Sequence, residues 1–439
     1  MLVAEGDYYP GFQQVGTLPS QPEGLTFLVP RGVEVIGAFP KTGNPTSPDP
    51  LLGRKTILHG DFLSGGVATR ANNVVVCDPG SLPTSPGQTF LQDVTRLKYF
   101  VITLGRANGI PSVDGGGLFA NPQQGEPKLN VRLENVVFTN NVAAGSGGAV
   151  FYSGDSTPVW LGVDQCFFVD NLAVLSGGGV WFGGLGSWAT DDFTGASWIY
   201  DSVFRGNFAG TGETTPVFAT QGGGAIYMGE FDNFPHIANN LIVGNSVRGW
   251  GSAIWCHPPR ASGGATISCN TITQNQVLLG PDGTTATPGG AVVLDAPTLQ
   301  GGCFYHLNND ILWKDNGPGS IAEILGTSPS IVVSYSDVGF WPTSQSYPGT
   351  GNLNLDPEFI DYVGGNFDLD VLKSPCIDAA PPLNLPDDLP TFGGNGSGAV
   401  PAINYDIRKL PGTWPRVFDV PGVNHGAGLT TDMGCFEPH

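Results

Sequence analysis

The chain repeats itself. Six times an apolar residue is followed by two variable residues and an asparagine: Phe138–Asn141, Phe168–Asn171, Phe204–Asn207, Ile242–Asn245, Ile272–Asn275 and Trp313–Asn316. Five of these are followed by a tetrad that opens on glycine and closes on an aliphatic residue: Gly147–Val150, Gly177–Val180, Gly223–Ile226, Gly251–Ile254 and Gly289–Val292. Such a repeat decides architecture before any single residue does, because each unit leaves an apolar face that only the next unit can cover. Successive anchors are 30, 36, 38, 30 and 41 residues apart (168−138, 204−168, 242−204, 272−242, 313−272). The step from asparagine to the next tetrad is 6 after Asn141, Asn171 and Asn245, but 16 after Asn207 and 14 after Asn275. Insertions therefore collect at one place, Phe208–Gly222 and Gln276–Pro288, as at one corner of a fixed cross-section.

The runs Leu133–Phe138, Ala149–Tyr152, Trp198–Phe204, Ala225–Met228 and Ile331–Tyr335 are rich in β-branched and aromatic residues and bounded by turn residues. No helical period competes with them. The pattern predicts an all-β chain: a single parallel β-helix over 1–325, then terminal coils and a loop-rich C-terminal cap over 326–439. Ten or so coils at about 4.8 Å each give a rod about 50 Å long. Phe138, Phe168 and Phe204 are expected to point inward and stack. Asn141, Asn171, Asn207, Asn245, Asn275 and Asn316 are expected to align in one turn, tolerating left-handed backbone and bonding amide to amide.

Composition narrows the function classes. Only 13% of residues are charged, and 18 basic residues face 38 acidic ones for a net charge of −20. No basic cluster supports nucleic-acid binding, and no run of apolar residues is long enough for a transmembrane helix. Met1–Pro10 reads as a strand and turn rather than a signal peptide. Seven cysteines, none in a CxxC, leave zinc and thioredoxin-like chemistry without support. Cys166 and Cys269, just ahead of anchors, are expected as small buried hydrophobes.

The paired FxxN and GGA[ILV] motifs resemble the repeats of polymorphic outer-membrane proteins and of secreted bacterial right-handed β-helix proteins. Leu2–Gly11, Gly32–Pro40, Lys55–Asp61 and Val101–Gly109 are similar to the N-terminal region of the latter. Leu355–Asp361, Asn366–Ala380, Asp406–Arg416 and Thr431–Glu437 resemble the C-terminal region called the choice-of-anchor Q domain. The resemblance implies a right-handed solenoid at the cell surface or outside the cell, with a leader that precedes the first motif and is removed or truncated here. That family has small residues where this chain has Cys376 and Cys435, so the comparison implies a disulfide between them, stable only outside a reducing cytosol. Asp378, Asp406, Arg416, Asp432 and Glu437 then read as a charged network pinning the cap.

Catalysis has thinner support. The acidic pairs Asp191–Asp192 and Asp387–Asp388 lie in loop-like segments, so an inverting galacturonidase arrangement fails. A calcium-dependent lyase needs carboxylates around the metal and a base for the sugar proton. Asp164, Asp170 and Asp201 with Arg205 and Arg248 are the candidates, and calcium is the only cofactor that reading requires. His236 and His257, near Glu230 and Asp232, read as surface-turn histidines. Tryptophans at 181, 188, 198, 250, 255, 341 and 414 are numerous, and Trp188 and Trp250 sit in glycine-rich turns where an exposed ring could stack on sugar. The expected role is non-catalytic: adhesion, glycan binding or extracellular assembly, with a glycan or surface partner or self-association through a coil end. A polysaccharide lyase and a subunit of an extracellular fibre are the rival classes.

Overall fold

The computed structural model describes residues 1–10, 12–13, 24–41, 55–64, 67–78, 94–109, 112–122, 129–154, 160–184, 197–210, 221–231, 235–257, 264–279, 289–295, 304–315, 320–326, 331–339, 348–377, 379 and 433–434. These residues contain strands and turns but no α-helix. The chain winds as a parallel β-helix. Ten strands, Leu2–Ala4 to Ile331–Ser334, build the first sheet, and ten, Gly6–Tyr8 to Asp337–Val338, build the second. A short sheet of two-residue strands runs from Arg106–Ala107 to Gln276–Val277. The third long sheet runs in parallel from Leu25–Pro30 to Ser320–Gly326, with Phe12–Gln13 antiparallel on its edge.

One coil shows how sequence makes the cross-section. Asn130–Glu134 lies in the first sheet, Val137–Thr139 in the second, Val142–Ala143 in the short sheet and Val150–Gly154 in the third. Asn135, Asn140 and Gly147 have φ of 54°, 55° and 67°, so a left-handed residue turns each corner between them. The runs Leu133–Phe138 and Trp198–Phe204, which read as single strands in the sequence, each bend at such a residue, Asn135 and Asp201.

The anchors fill the interior. Phe138, Phe168, Phe204, Ile242 and Ile272 are fully buried. Phe138 and Phe168 stack with ring centroids 5.2 Å apart, and Phe168 and Phe204 at 4.5 Å. In the sixth coil the register corrects the sequence reading: Ile272 pairs with Leu312, and Thr273 with Trp313. Leu312 is therefore the anchor, and the step is 40 residues (312−272) rather than 41. Trp313 faces outward, with Lys314 Nζ 5.5 Å from its ring centroid.

The glycine corner is sterically closed. At Gly178 a Cβ would sit 2.3 Å from the carbonyl oxygen of Gly224 in the next coil, and its neighbour Gly177 has φ of 67°. Gly177→Ala is expected to lower the unfolding free energy by at least about 1–2 kcal/mol, the cost of left-handed backbone for an L-residue, read as a lower urea midpoint.

After Val338 the chain makes part of a further turn, with Val338 N–H donating to Leu353 O and Leu353 N–H to Ser336 O. It then folds back. The antiparallel hairpin Phe359–Asp361 and Asn366–Leu369 crosses the outer face of the second sheet. Phe359, Tyr362 and Phe367 cover Val203, Leu241 and Val243, while Leu369, Cys376, Ile377 and Met433 cover Ile311 and Trp313. This explains why those outward positions are apolar.

Candidate functional site

The most organised polar structure in the molecule is internal. Asn141 Nδ2 donates to Asn171 Oδ1 at 3.0 Å, Asn171 to Asn207 at 3.0 Å, Asn207 to Asn245 at 2.9 Å and Asn245 to Asn275 at 2.9 Å. Each amide spends a second hydrogen on the anchor carbonyl one coil back, as Asn207 does on Phe168 O at 2.9 Å. The rung after Asn275 is Asp315, whose Oδ1 accepts at 2.7 Å; Asn316 lies outside the described residues. The left-handed residue is not the asparagine but the one before it: Asn140, Asp170, Gly206, Gly244, Gln274 and Lys314 all have positive φ. The asparagine is needed for its amide, not its backbone tolerance.

A second ladder, unseen in the sequence, locks the corner between the first and second sheets. Asn240 Nδ2 donates to Asn270 Oδ1 at 3.0 Å, and Asn270 Nδ2 to Asp310 Oδ1 at 2.9 Å. Ser202 precedes it and Ser336 follows it through backbone N–H donors. Cys166, fully buried, occupies the same corner one coil earlier, its N–H donating to Ser202 Oγ. Cys269 is buried at the left-handed position of that corner.

The lyase candidates are not brought together. Asp164 faces outward from the first sheet, where its carboxylate accepts from Arg132 Nε at 2.9 Å and Trp198 Nε1 at 3.0 Å. Burial pushes its pKa up, against the pull of Arg132 and the Trp198 hydrogen bond. It ends a row of ion pairs across coils, with Glu134 between Arg132 and Lys98 and Glu34 on the far side of Lys98. Asp201 turns the corner between first and second sheets and accepts from Asn239 at 2.5 Å. Asp170 turns the next corner, lying over Gly206. Asp164 and Asp201 both border Tyr200, whereas Asp170 stands at the next corner. Among the described residues no three His, Cys, Asp or Glu side chains converge as metal ligands.

The arginines diverge too. Arg205 is exposed on the second sheet, at a cleft where Val243 and Gln274 face Val363 and Phe367 of the hairpin. Arg248, past the short sheet, stacks its guanidinium 5.6 Å from the centroid of Phe208. His236 and His257 belong to different sheets, the first and the third. Desolvation pulls His236 down to about 4, while His257 Nδ1 lies 3.1 Å from Asp295, which also accepts from Trp255 Nε1 at 2.7 Å.

The aromatics are largely committed to one another. On the outer face of the third sheet Phe119, Phe151, Trp181 and Tyr227 stack coil upon coil, at 5.6, 4.4 and 5.8 Å, so their faces meet neighbours rather than solvent. Trp198 stacks on Trp160 at 4.9 Å. Trp250 is half-buried and its backbone pairs with Gln221 and Gly223 at the glycine corner. Trp188, Trp341, Trp414, the acidic pairs at 191–192 and 387–388, Asp232 and the charged residues at 378, 406, 416, 432 and 437 lie outside the described residues. So does Cys435; Cys376 is buried, its Sγ 3.2 Å from Asp337 Oδ2.

Corner geometry separates two kinds of turn. From Asn130 onward the two ladder corners keep constant length; earlier, residues 40–55 intervene between Glu34–Phe39 of the first sheet and Thr56–His59 of the second. The insertion at 211–220 and that at 280–288 both fall between the short and third sheets. A second variable corner, which the sequence reading did not separate, joins the third sheet to the first. There the residues between strands number 155–160, 185–197, 232–235, 258–263 and 295–303.

No helix among the described residues is long and apolar enough to cross a membrane. No curated protein and no solved structure matches the chain. Residues 135–153, which hold the Phe138 anchor, the Asn141 rung and the Gly147 corner, match the Chlamydia polymorphic membrane protein repeat, a similarity that points to a bacterial outer-surface protein.

Proposed function

We propose that the chain is a rigid surface β-helix that recognises a glycan without transforming it, through the two corners that border the third sheet. The observation that carries this reading is the division of the corners. From Asn130 onward hydrogen-bonded ladders fix two of them, and the large differences in chain length within those coils fall on the other two. Recognition residues on variable loops held by a repetitive scaffold are the usual division of labour in solenoids. Trp188 lies in one such connector, and Trp250 borders the other corner. Asp164 and Asp201 border one corner, Asp170 and Arg205 the next, and Arg248 lies past the short sheet; with no three acidic ligands converging among the described residues, this favours binding over lyase chemistry.

The test is a panel of immobilised glycans probed with the full chain and with variants in which 211–220 or 185–196 is replaced by a short Gly-Ser linker. Binding that is lost with a shortened corner, with the fold retained, supports the reading. Ultraviolet absorbance from unsaturated products, appearing with calcium, would replace it with a lyase. Filaments without any ligand would favour a fibre subunit.

A further inference from the structure

Four buried carboxyl groups gather in the last coils: Asp310, Asp315, Glu323 and Asp337. Two of them occupy ladder rungs. In every amide rung Oδ1 accepts from the previous coil, and Nδ2 donates back to an inward carbonyl, as Asn270 does to Ile237 O and Asn275 to Ile242 O. At Asp310 and Asp315 the Oδ1 half is kept, accepting at 2.9 and 2.7 Å. The Oδ2 of Asp310 is buried and receives no N–H or O–H donor. By ladder register that oxygen replaces an NH₂ directed at the carbonyl of Ile267; Asp315 instead has the Glu323 carboxyl as a hydrogen-bond partner. Two bare oxygens facing each other in a dry interior repel; a carboxylic O–H would restore the missing donor.

We propose that the last coils carry a proton-held clasp, in which Asp310 folds as a neutral carboxylic acid in place of a ladder amide, beside the hydrogen-bonded Asp315–Glu323 pair, and loss of protons here as pH rises loosens the C-terminal segment from the β-helix. The segment is fastened to these same coils. Gly434 N–H donates to Asn309 O, Cys376 Sγ to Asp337 Oδ2 and, one coil earlier, Gln274 Nε2 to Tyr362 O.

The surroundings agree. Burial pushes Asp310 up to about 7, opposed by hydrogen bonds from Asn270 and the backbone of Asn308. Asp315 is raised well above the usual range, first by burial and then by the charge of Glu323; Glu323 is itself pushed up to about 7 by burial. Burial pushes Asp337 up to about 6, Asp356 adding to it while the Leu355 N–H and Cys376 oppose. Besides Glu323, the ionisable groups packed near Asp315 are Tyr362 and its neighbour Lys314, whose Nζ is 5.1 Å from the Tyr362 ring centroid. The folded segment thus binds more protons than the opened one between the ordinary carboxylate range and about pH 7. Its closure is complete below that range and is lost as pH rises through it, by about tenfold per pH unit for each proton released.

Hydrogen exchange of the full chain, corrected for the intrinsic pH dependence of amide exchange, tests this. Between about pH 5 and about pH 8, protection over 304–339 and 353–377 is expected to fall at least tenfold, while that over 129–184 stays level. Asp310→Asn should make the slope shallower by one proton's share, about tenfold less change per pH unit, and raise protection at pH 8, the remaining slope belonging to Asp315, Glu323 and Asp337. An equal slope in wild type and variant, or no slope in wild type, overturns the proposal. Infrared spectra give an independent readout. A protonated-carboxyl band near neutral pH that is reduced in Asp310→Asn alone supports it, and its absence from the wild type refutes it.

Discussion

Asn207→Ala is expected to be among the most damaging single substitutions in the chain, although the residue touches no solvent. Its Oδ1 accepts from both the N–H and the Nδ2 of Asn171, and its Nδ2 supplies Phe168 O and Asn245 Oδ1. Truncation strands the Asn171 N–H and deprives Phe168 O of its side-chain donor, in an interior with no access to water. At about 1–3 kcal/mol for each buried group left unsatisfied, the loss is about 3–6 kcal/mol. Chemical denaturation would register it, and exchange should localise it to the coils on either side of 207. Asn207→Asp offers the sharper comparison. Its second oxygen would face an acceptor, so it should be destabilising at neutral pH and partly rescued in acid, where a protonated carboxyl can donate once more. Equal damage at both pH values would contradict the hydrogen count.

Phe168→Ala should cost about 3–5 kcal/mol through lost apolar burial and the cavity left behind. Phe168 is fully buried between Phe138 and Phe204, so both neighbouring coils lose a packing partner. A solenoid couples only adjacent units. Weakening one interface near the middle is therefore expected to split a single unfolding transition into two, reported separately by probes placed before and after 168. A single unshifted transition would mean that the neighbouring rings close the gap. Phe168→Leu, which keeps most of the volume, should retain one transition.

The architecture is legible in the sequence because the anchor, the asparagine and the glycine recur at positions that permit few substitutes. A side chain stacked on its own image needs matching bulk, an amide rung needs two donors and an acceptor, and Gly178 has no room for a Cβ. The second ladder is illegible because its corner tolerates more. Cys166, Ser202, Asn240, Asn270, Asp310 and Ser336 share a place in the cross-section but no single chemistry. The left-handed residue ahead of them changes too, among Gln165, Asp201, Asn239, Cys269, Asn309 and Tyr335. At Trp313 bulk misleads: the sequence WKDN satisfies the motif, whereas LWKD satisfies the space, with Leu312 inside and Asp315 on the rung. Candidate chemistry was the least legible. Asp164 and Asp170 are close in sequence, but the left-handed Gln165 between them bends the chain to the next position of the cross-section, while Asp201, a coil further on, comes beside Asp164.

The first ladder also has a direction and a stopping rule. An amide nitrogen carries two hydrogens, one sent back to a carbonyl and one sent forward to the next rung. A carboxylic acid carries one, so a rung built from Asp can complete the row behind it and has nothing to offer a coil ahead. Asp315 thereby closes the amide row at its sixth rung, and beyond it the line continues only through a backbone donor, the Asp315 N–H to Glu323 Oε1.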